Sequence, residues 1–254
     1  MRIGILGKGE IGTAISEVYA STTANCVILY KDLKLKLDDD FTDIDVLNVC
    51  IPYITEDQFV GDVSKTVTEF KPSLTIIHSS VQPSSTKDEK TTIQKIIELT
   101  SNTRVVHSPV RGVHPHLYDG IKTFVKFIGA ETPEAGKLAK EHLDTLGIES
   151  LVTTSKNTEL TKLLSTSYYG ICIAFTEEMG KLCDQSGADF DVVVKQWNET
   201  YNDGYIKLDK SNVVRPVLYR LSDDKIGGHC VLPNANLLKR KFKTDIFNPI
   251  LKYQ

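Results

Sequence analysis

Arg2-Ile3-Gly4-Ile5-Leu6-Gly7-Lys8-Gly9-Glu10-Ile11-Gly12 opens the chain, and this stretch sets the architecture expected of the rest. Residues 3–6 form a short apolar run of the kind that makes a buried strand. Three glycines follow directly, and a helical pattern covers about residues 10–20. In such a strand, turn and helix each glycine has its own mechanical task. Gly7 makes the tight turn, Gly9 leaves the backbone bare for a pyrophosphate, and Gly12 lets the helix lie close on the strand. The helix N-terminus then favours negative phosphates, so Gly7, Lys8, Gly9, Glu10, Ile11 and Gly12 are the candidate phosphate cradle. Asp32 stands twenty residues beyond Gly12, where an acidic group would hold an adenosine ribose. These residues predict dinucleotide binding, with NAD favoured over NADP. Lys31, beside Asp32, is the feature that would instead suit a 2′-phosphate.

The same alternation continues. Apolar runs recur at 27–30, 46–51, 74–78, 104–107 and 124–128, with helical patterns near 56–70, 86–100 and 133–146. Strands alternating with helices predict a doubly wound parallel sheet covered on both faces, an α/β domain over residues 1–154. From about residue 155 the pattern changes. A long helical period runs over 159–185, Ser186-Gly187 stops it, and a further helix is expected over 192–199. Residues 155–254 are therefore expected to form a mainly helical second domain. The long helix carries Tyr168, Tyr169, Ile171, Ile173 and Phe175, and such a helix is expected to be buried on several sides.

Composition limits the partners. Of 254 residues, 30 are Lys or Arg and 33 Asp or Glu, for a net charge of -3, which gives no reason to expect nucleic acid. No apolar run is long enough to span a bilayer, so no membrane partner is expected. The five cysteines form no CxxC pair, and with the six histidines they show no zinc-site spacing, so no metal is expected. Reduced thiols of this kind suit a cytoplasmic protein.

In doubly wound sheets the ligand lies at the carboxyl ends of the strands. Three segments should end there: Cys50-Ile51-Pro52-Tyr53, His78-Ser79-Ser80-Val81-Gln82-Pro83, and the stretch from His107 to His116. Ile51, Pro52 and Ser79 are candidate cofactor contacts. Arg111 is a candidate clamp for an anionic substrate group. His107, His114 and His116 are of a type that moves protons near neutral pH, although a strand-ending histidine is equally suited to satisfied hydrogen bonds.

With these motifs in order, the chain resembles the UDP-glucose/GDP-mannose dehydrogenase family, within the 6-phosphogluconate and β-hydroxyacid dehydrogenase superfamily. The likeness rests on the glycine turn, Ser79-Ser80-Val81-Gln82-Pro83, Glu159-Leu160-Thr161-Lys162-Leu163-Leu164 and Gly227-Gly228-His229-Cys230. It implies an NAD(P)-dependent oxidoreductase acting on a CH–OH group of a sugar-like or small hydroxy substrate. It implies that Lys162 stabilises the alkoxide or exchanges its proton, that Cys230 is the nucleophile of a second oxidation, and that Ser80 helps place a water. It also implies a homodimer built on the helical domain.

The substrate side departs from the family. Asn234 stands where an acid is expected four places after the cysteine, and Thr166 where an amide follows the lysine. Val110 and His114 stand where two glutamates are expected. Arg111, His114 and Asn234 are thus the candidate substrate contacts of a short member lacking the C-terminal nucleotide-sugar domain. The alternative is a degenerate dinucleotide-binding protein that acts as a sensor or subunit. Glu159, three residues before Lys162, is placed to pair with it.

Overall fold

The computed structural model describes every residue except Thr23, Ala24, Val113 and His114. Candidate residue His114 therefore lies outside the described residues. The chain divides into two compact units, Met1–Lys162 and Leu163–Gln254.

The first unit is built on one eight-stranded sheet. Its strands are β1 (Arg2–Leu6), β2 (Val27–Asp32), β3 (Leu37–Asp38), β4 (Val46–Val49), β5 (Leu74–Ile77), β6 (Val105–His107), β7 (Lys126–Gly129) and β8 (Ser150–Thr153). They lie in the order β3-β2-β1-β4-β5-β6-β7-β8. β2, β1, β4, β5 and β6 are mutually parallel. β3 turns back on β2, β7 joins β6 antiparallel at His107 and Gly129, and β8 runs parallel with β7. The chain moves outward from β1 to β3 and then returns to β4 on the other side. That reversal opens a crevice at the carboxyl ends of β1 and β4.

Helices cover both faces, as the apolar runs predict. α1 (Glu10–Thr22), α4 (Leu117–Thr123) and α5 (Pro133–Thr145) bury Ile15, Val18, Leu117, Ile121, Ala139 and Leu143 against Ile3 and Ile5. On the other face α2 (Glu56–Phe70) and α3 (Thr92–Thr100) set Phe59, Val63, Val67, Ile93 and Ile96 against Leu47, Val49 and Ile77. β4 and β5 are buried along their whole length, which is why their sequences are mostly apolar, with only Asn48 and Thr75 polar.

The helix expected over 86–100 begins only at Thr92. Thr91 closes a capping box there. Its Oγ1 accepts from Gln94 N at 3.1 Å, and Gln94 Oε1 accepts from Thr91 N at 2.9 Å. Upstream, Ser85 N and Oγ both donate to the Glu89 carboxylate, a turn that competes with helix. Thr91 Oγ1 also meets Ser155 Oγ at 2.7 Å. Thr91→Ala is expected to cost about 1–2 kcal/mol and to lower Tm by a few degrees, with Thr91→Ser largely neutral. An unchanged melting curve for the alanine variant would show that the cap contributes nothing.

α6 (Ser155–Ser186) spans the division between the units, its first two turns belonging with the sheet. In the second unit it is followed by a π-helical turn, Asp191–Gln196, and by α7 (Trp197–Lys207), α8 (Val231–Phe242) and α9 (Asn248–Leu251). Burial of α6 is one-sided in this chain, not many-sided as its composition suggests. Leu163, Ser167, Gly170, Ala174 and Cys183 are buried, whereas Tyr168 is 63% and Phe175 62% exposed. Gly170 is a point of close approach: a Cβ there would lie 2.5 Å from Val231 and 3.1 Å from Ile250. The segment after α8 is not a loose tail, since Ile250 and Tyr253 are buried.

Candidate functional site

The glycine turn has the geometry its spacing predicts. Gly7 sits at φ +94°, and a Cβ there would lie 2.9 Å from the backbone carbon of Cys50. A Cβ on Gly12 would lie 2.0 Å from Gly7 O, so the start of α1 can rest on β1 only because that atom is missing. Gly9 differs: an added Cβ would meet nothing within 4 Å. Gly7 and Gly12 are thus required by the fold, while Gly9 faces open space. Glu10 and Ile11 form the first turn of α1, whose buried face carries Ala14, Ile15, Val18 and Tyr19.

Asp32 ends β2 beside this turn. Its Oδ2 accepts from Lys8 N at 2.7 Å and its Oδ1 from Leu35 N at 2.9 Å. Desolvation works against the charge. N–H donation from Leu35, Lys8 and Lys34, helped by the Lys34 ammonium, outweighs it and holds the carboxyl below its ordinary value. Lys8 Nζ lies 4.0 Å from the centre of the Tyr30 ring. Lys31 pairs with Asp38 and lies near the Phe41 and Phe70 rings.

Ser79 joins the next strand ends. Its hydroxyl donates to Ile51 O at 2.6 Å, and its carbonyl accepts from His107 Nε2 at 3.1 Å. Pro52 follows as an exposed residue, and Ser80 stands half-buried three residues beyond β5. His107 Nδ1 meets Thr158 Oγ1 at 2.8 Å. Burial pushes the His107 ring down to about 3, with the Lys126 and Lys162 charges acting in the same direction against the Ser79 hydrogen bond. His78 bridges Ser108 O and the Asn48 side chain, and burial holds it well below its ordinary value. Both histidines are therefore neutral structural links, not proton carriers near pH 7. His116 is exposed, 3.8 Å from Asp119.

α6 brings Lys162 and Glu159 to the sheet unit. Lys162 Nζ donates to Val110 O at 2.8 Å, at the carboxyl end of β6. Glu159 is buried, and its Oε1 accepts from Ile93 N at 3.2 Å, at the N-terminus of α3. Burial raises its carboxyl to about 8 against the Ile93 and Thr92 N–H groups, with Glu131 and Glu56 adding to the rise. Glu159 thus serves α3, where the sequence suggested Lys162 as its partner. Val110 is itself a core residue. Arg111 is exposed. Its Nη1 donates to Val125 O at 3.3 Å, and its guanidinium lies over Phe124 and Phe127 at 5.3 and 5.8 Å.

Sequence reasoning missed Lys126, whose Nζ donates to Ser108 O at 2.6 Å and more distantly to Pro109 O at 3.4 Å. The signal was present: Lys126 is the one charged residue in the apolar run Phe124-Val125-Lys126-Phe127-Ile128.

In the second unit, Cys230 is the half-buried cap residue of α8, preceded by Gly228 at φ +85°. Asn234 lies one turn further on, buried, its N–H donating to Cys230 O at 3.1 Å. Arg220 crosses Gly180 and pairs with Glu177 and Asp184, while Leu221 N donates to Glu177, which ties the segment before Cys230 to α6. Among the described residues no group of side chains could hold a metal ion, and no helix is long and apolar enough to cross a membrane.

The sheet order, its reversal beside a glycine turn, and the helices that follow define a doubly wound α/β fold with a helical continuation. No family model matches the chain. It is 25% identical to the UDP-N-acetyl-D-mannosamine dehydrogenase of Methanococcus maripaludis over 243 residues, covering 91% of this chain and 51% of that protein. The UDP-D-ManNAc dehydrogenase structure from Pyrococcus horikoshii superposes with a TM-score of 0.76 at 18% identity, over 100% of this chain and 67% of that one. Mycobacterium tuberculosis 3-hydroxyisobutyrate dehydrogenase shares the fold at a TM-score of 0.66 and 13% identity, over 97% and 89% of the two chains. By sequence, the chain is a homologue of the nucleotide-sugar dehydrogenases, and it matches their N-terminal part. It spans about half the length of the curated relative just described.

Proposed function

We propose that this chain is a nicotinamide-dependent oxidoreductase that moves a hydride between its cofactor and an alcohol carbon of a sugar-like substrate, nucleotide sugars foremost. The observation that carries this is the Lys162 ammonium, held 2.8 Å from Val110 O on the same sheet edge as the glycine turn. The turn fits a dinucleotide, because the backbone at Gly9 is open to a pyrophosphate and Asp32 is ionised beside it. Gly7, Lys8, Gly9, Glu10, Ile11, Gly12 and Asp32 would hold it, with Ile51, Pro52 and Ser79 at the neighbouring strand ends. NAD is favoured over NADP, since the Asp32 carboxylate repels a 2′-phosphate and Lys31 is engaged by Asp38. When bound, the nicotinamide supplies the hydride acceptor.

As an ammonium Lys162 stabilises the alkoxide as the hydride leaves, and as the free amine it takes the proton of the alcohol. Ser80 places a water, and Arg111 and Asn234 contact the substrate. Residues 1–154 carry the cofactor and residues 155–254 the substrate and dimer contacts. The exposed Tyr168, Tyr169 and Phe175 on α6 support a homodimer.

The test begins with nicotinamide fluorescence. Tighter binding of NADH than of NADPH is expected, followed by NAD reduction in a screen of nucleotide sugars and hydroxy acids. Binding of neither nucleotide removes the proposal. Cys230→Ser then separates two routes. If the alcohol is oxidised to an acid through a thioester, the variant stops after one NADH per substrate instead of two. Full turnover of the serine variant excludes the covalent route. A second reading, a nucleotide sensor without turnover, draws on the burial of Val110 in the core, where the resembled enzymes carry glutamate. It predicts NADH binding with no hydride exchange on any alcohol.

A further inference from the structure

Lys126 is a strand residue only 4% exposed, and among the described residues its ammonium has no carboxylate partner. It donates to Ser108 O and Pro109 O, and Lys162 donates to the next carbonyl, Val110 O. Three consecutive carbonyls beyond β6 are therefore held by two ammonium groups from different elements. His78 Nδ1 adds a second donor to Ser108 O at 3.0 Å, and the Val110 side chain is anchored in the core. A buried cation without a counter-ion is unfavourable, and an apolar side chain would pack at this position without that penalty. An apolar side chain would leave Pro109 O without this donor and Ser108 O with only His78.

We propose that Lys126 is a positioning residue for Lys162: by holding Ser108 O and Pro109 O it fixes segment 108–110, so that Val110 O meets the Lys162 ammonium. The kinetic consequence rests on the oxidoreductase reading; the contact does not. Displacing a reacting group by about 1 Å lowers turnover by about 10²-fold.

The charged and titratable groups around Lys126 are Cys50 from the end of β4, His78 and His107 from β5 and β6, and Lys162 from α6. Burial pushes the Lys126 amine down to about 7, so mildly acid solution keeps it charged. Under those conditions the lysine ammonium signals of the 15N-labelled full chain are recorded, and Lys162 is identified by the signal lost in Lys162→Met. In Lys126→Met the Lys162 signal is expected to shift or to disappear by exchange. Turnover is expected to fall by about 10²-fold with KM little changed, and Lys126→Arg to restore most of it. In the Lys162→Met background, Lys126→Met is expected to lower turnover no further.

An unmoved Lys162 signal in Lys126→Met that still binds NADH overturns the proposal. So does an additive loss in the double variant, which is what general damage to the fold would give. If Lys126→Met does not fold, Lys126→Leu, which also removes the donor, gives the same two readings. If the wild type oxidises nothing, the proposed function fails while the ammonium spectra still decide the role of Lys126.

Discussion

Gly9→Val is expected to leave the protein folded and to remove nucleotide binding, whereas Gly12→Val is expected to damage the fold itself. The two glycines lie three residues apart in one turn, yet their surroundings are opposite. At Gly9 a side chain meets no protein atom within 4 Å and the backbone is not left-handed, so valine is accommodated by the chain. It would fill the space that a pyrophosphate must enter. The expected weakening of NADH binding is at least about 10²-fold, or about 2.7 kcal/mol, with Tm unchanged within a degree or two. At Gly12 the added carbon would sit 2.0 Å from Gly7 O, a backbone atom that cannot swing aside. Overpacking of this kind costs about 1–3 kcal/mol or more, read as a Tm lower by several degrees. Fluorescence titration and thermal melts of both variants check the contrast. Wild-type NADH affinity in Gly9→Val would remove the phosphate cradle from this turn.

The second large effect is expected at Lys162. Replacing it with methionine keeps the length of the side chain and its packing, and removes the ammonium that donates to Val110 O. Loss of a positioned acid–base group lowers turnover by about 10²–10⁴-fold. NADH affinity and Tm should stay close to wild type, because the glycine turn and Asp32 do not touch this side chain. The measurement is steady-state turnover with the best substrate of the screen, beside a nucleotide titration of the same preparation. Turnover retained within a few-fold would assign the chemistry to another group. Complete loss of hydride exchange would sink the sensor reading, because only an enzyme has exchange to lose.

The elements differ in how far they could be read in advance. The strands of the first unit follow from apolar runs, and the buried β4 and β5 are the clearest of them. The helical pattern over 86–91 predicts too early a start for α3, because Glu89 and Thr91 close local turns and caps that compete with helix there. The two-residue β3 and the short α4 carry too few residues for any period to register. His107 illustrates a different limit. Its residue type suggests a proton carrier, but burial beneath Thr158 and Ser79 pushes it down to about 3.

By itself, the sequence determined six of the strands and the longer helices between them, the glycine turn with Asp32 at the end of the next strand, and the change to a helical second part. Each depends on side-chain period or backbone freedom within a few neighbouring residues, and that information is local. Only the tertiary structure decided which polar groups meet. Lys126 reaches Ser108 across 18 residues, Lys162 reaches Val110 across 52, and Glu159 reaches Ile93 across 66. Buried polar groups must find partners or lose free energy, but which partner each one finds is set by how the sheet and helices pack, and no spacing along the chain records it.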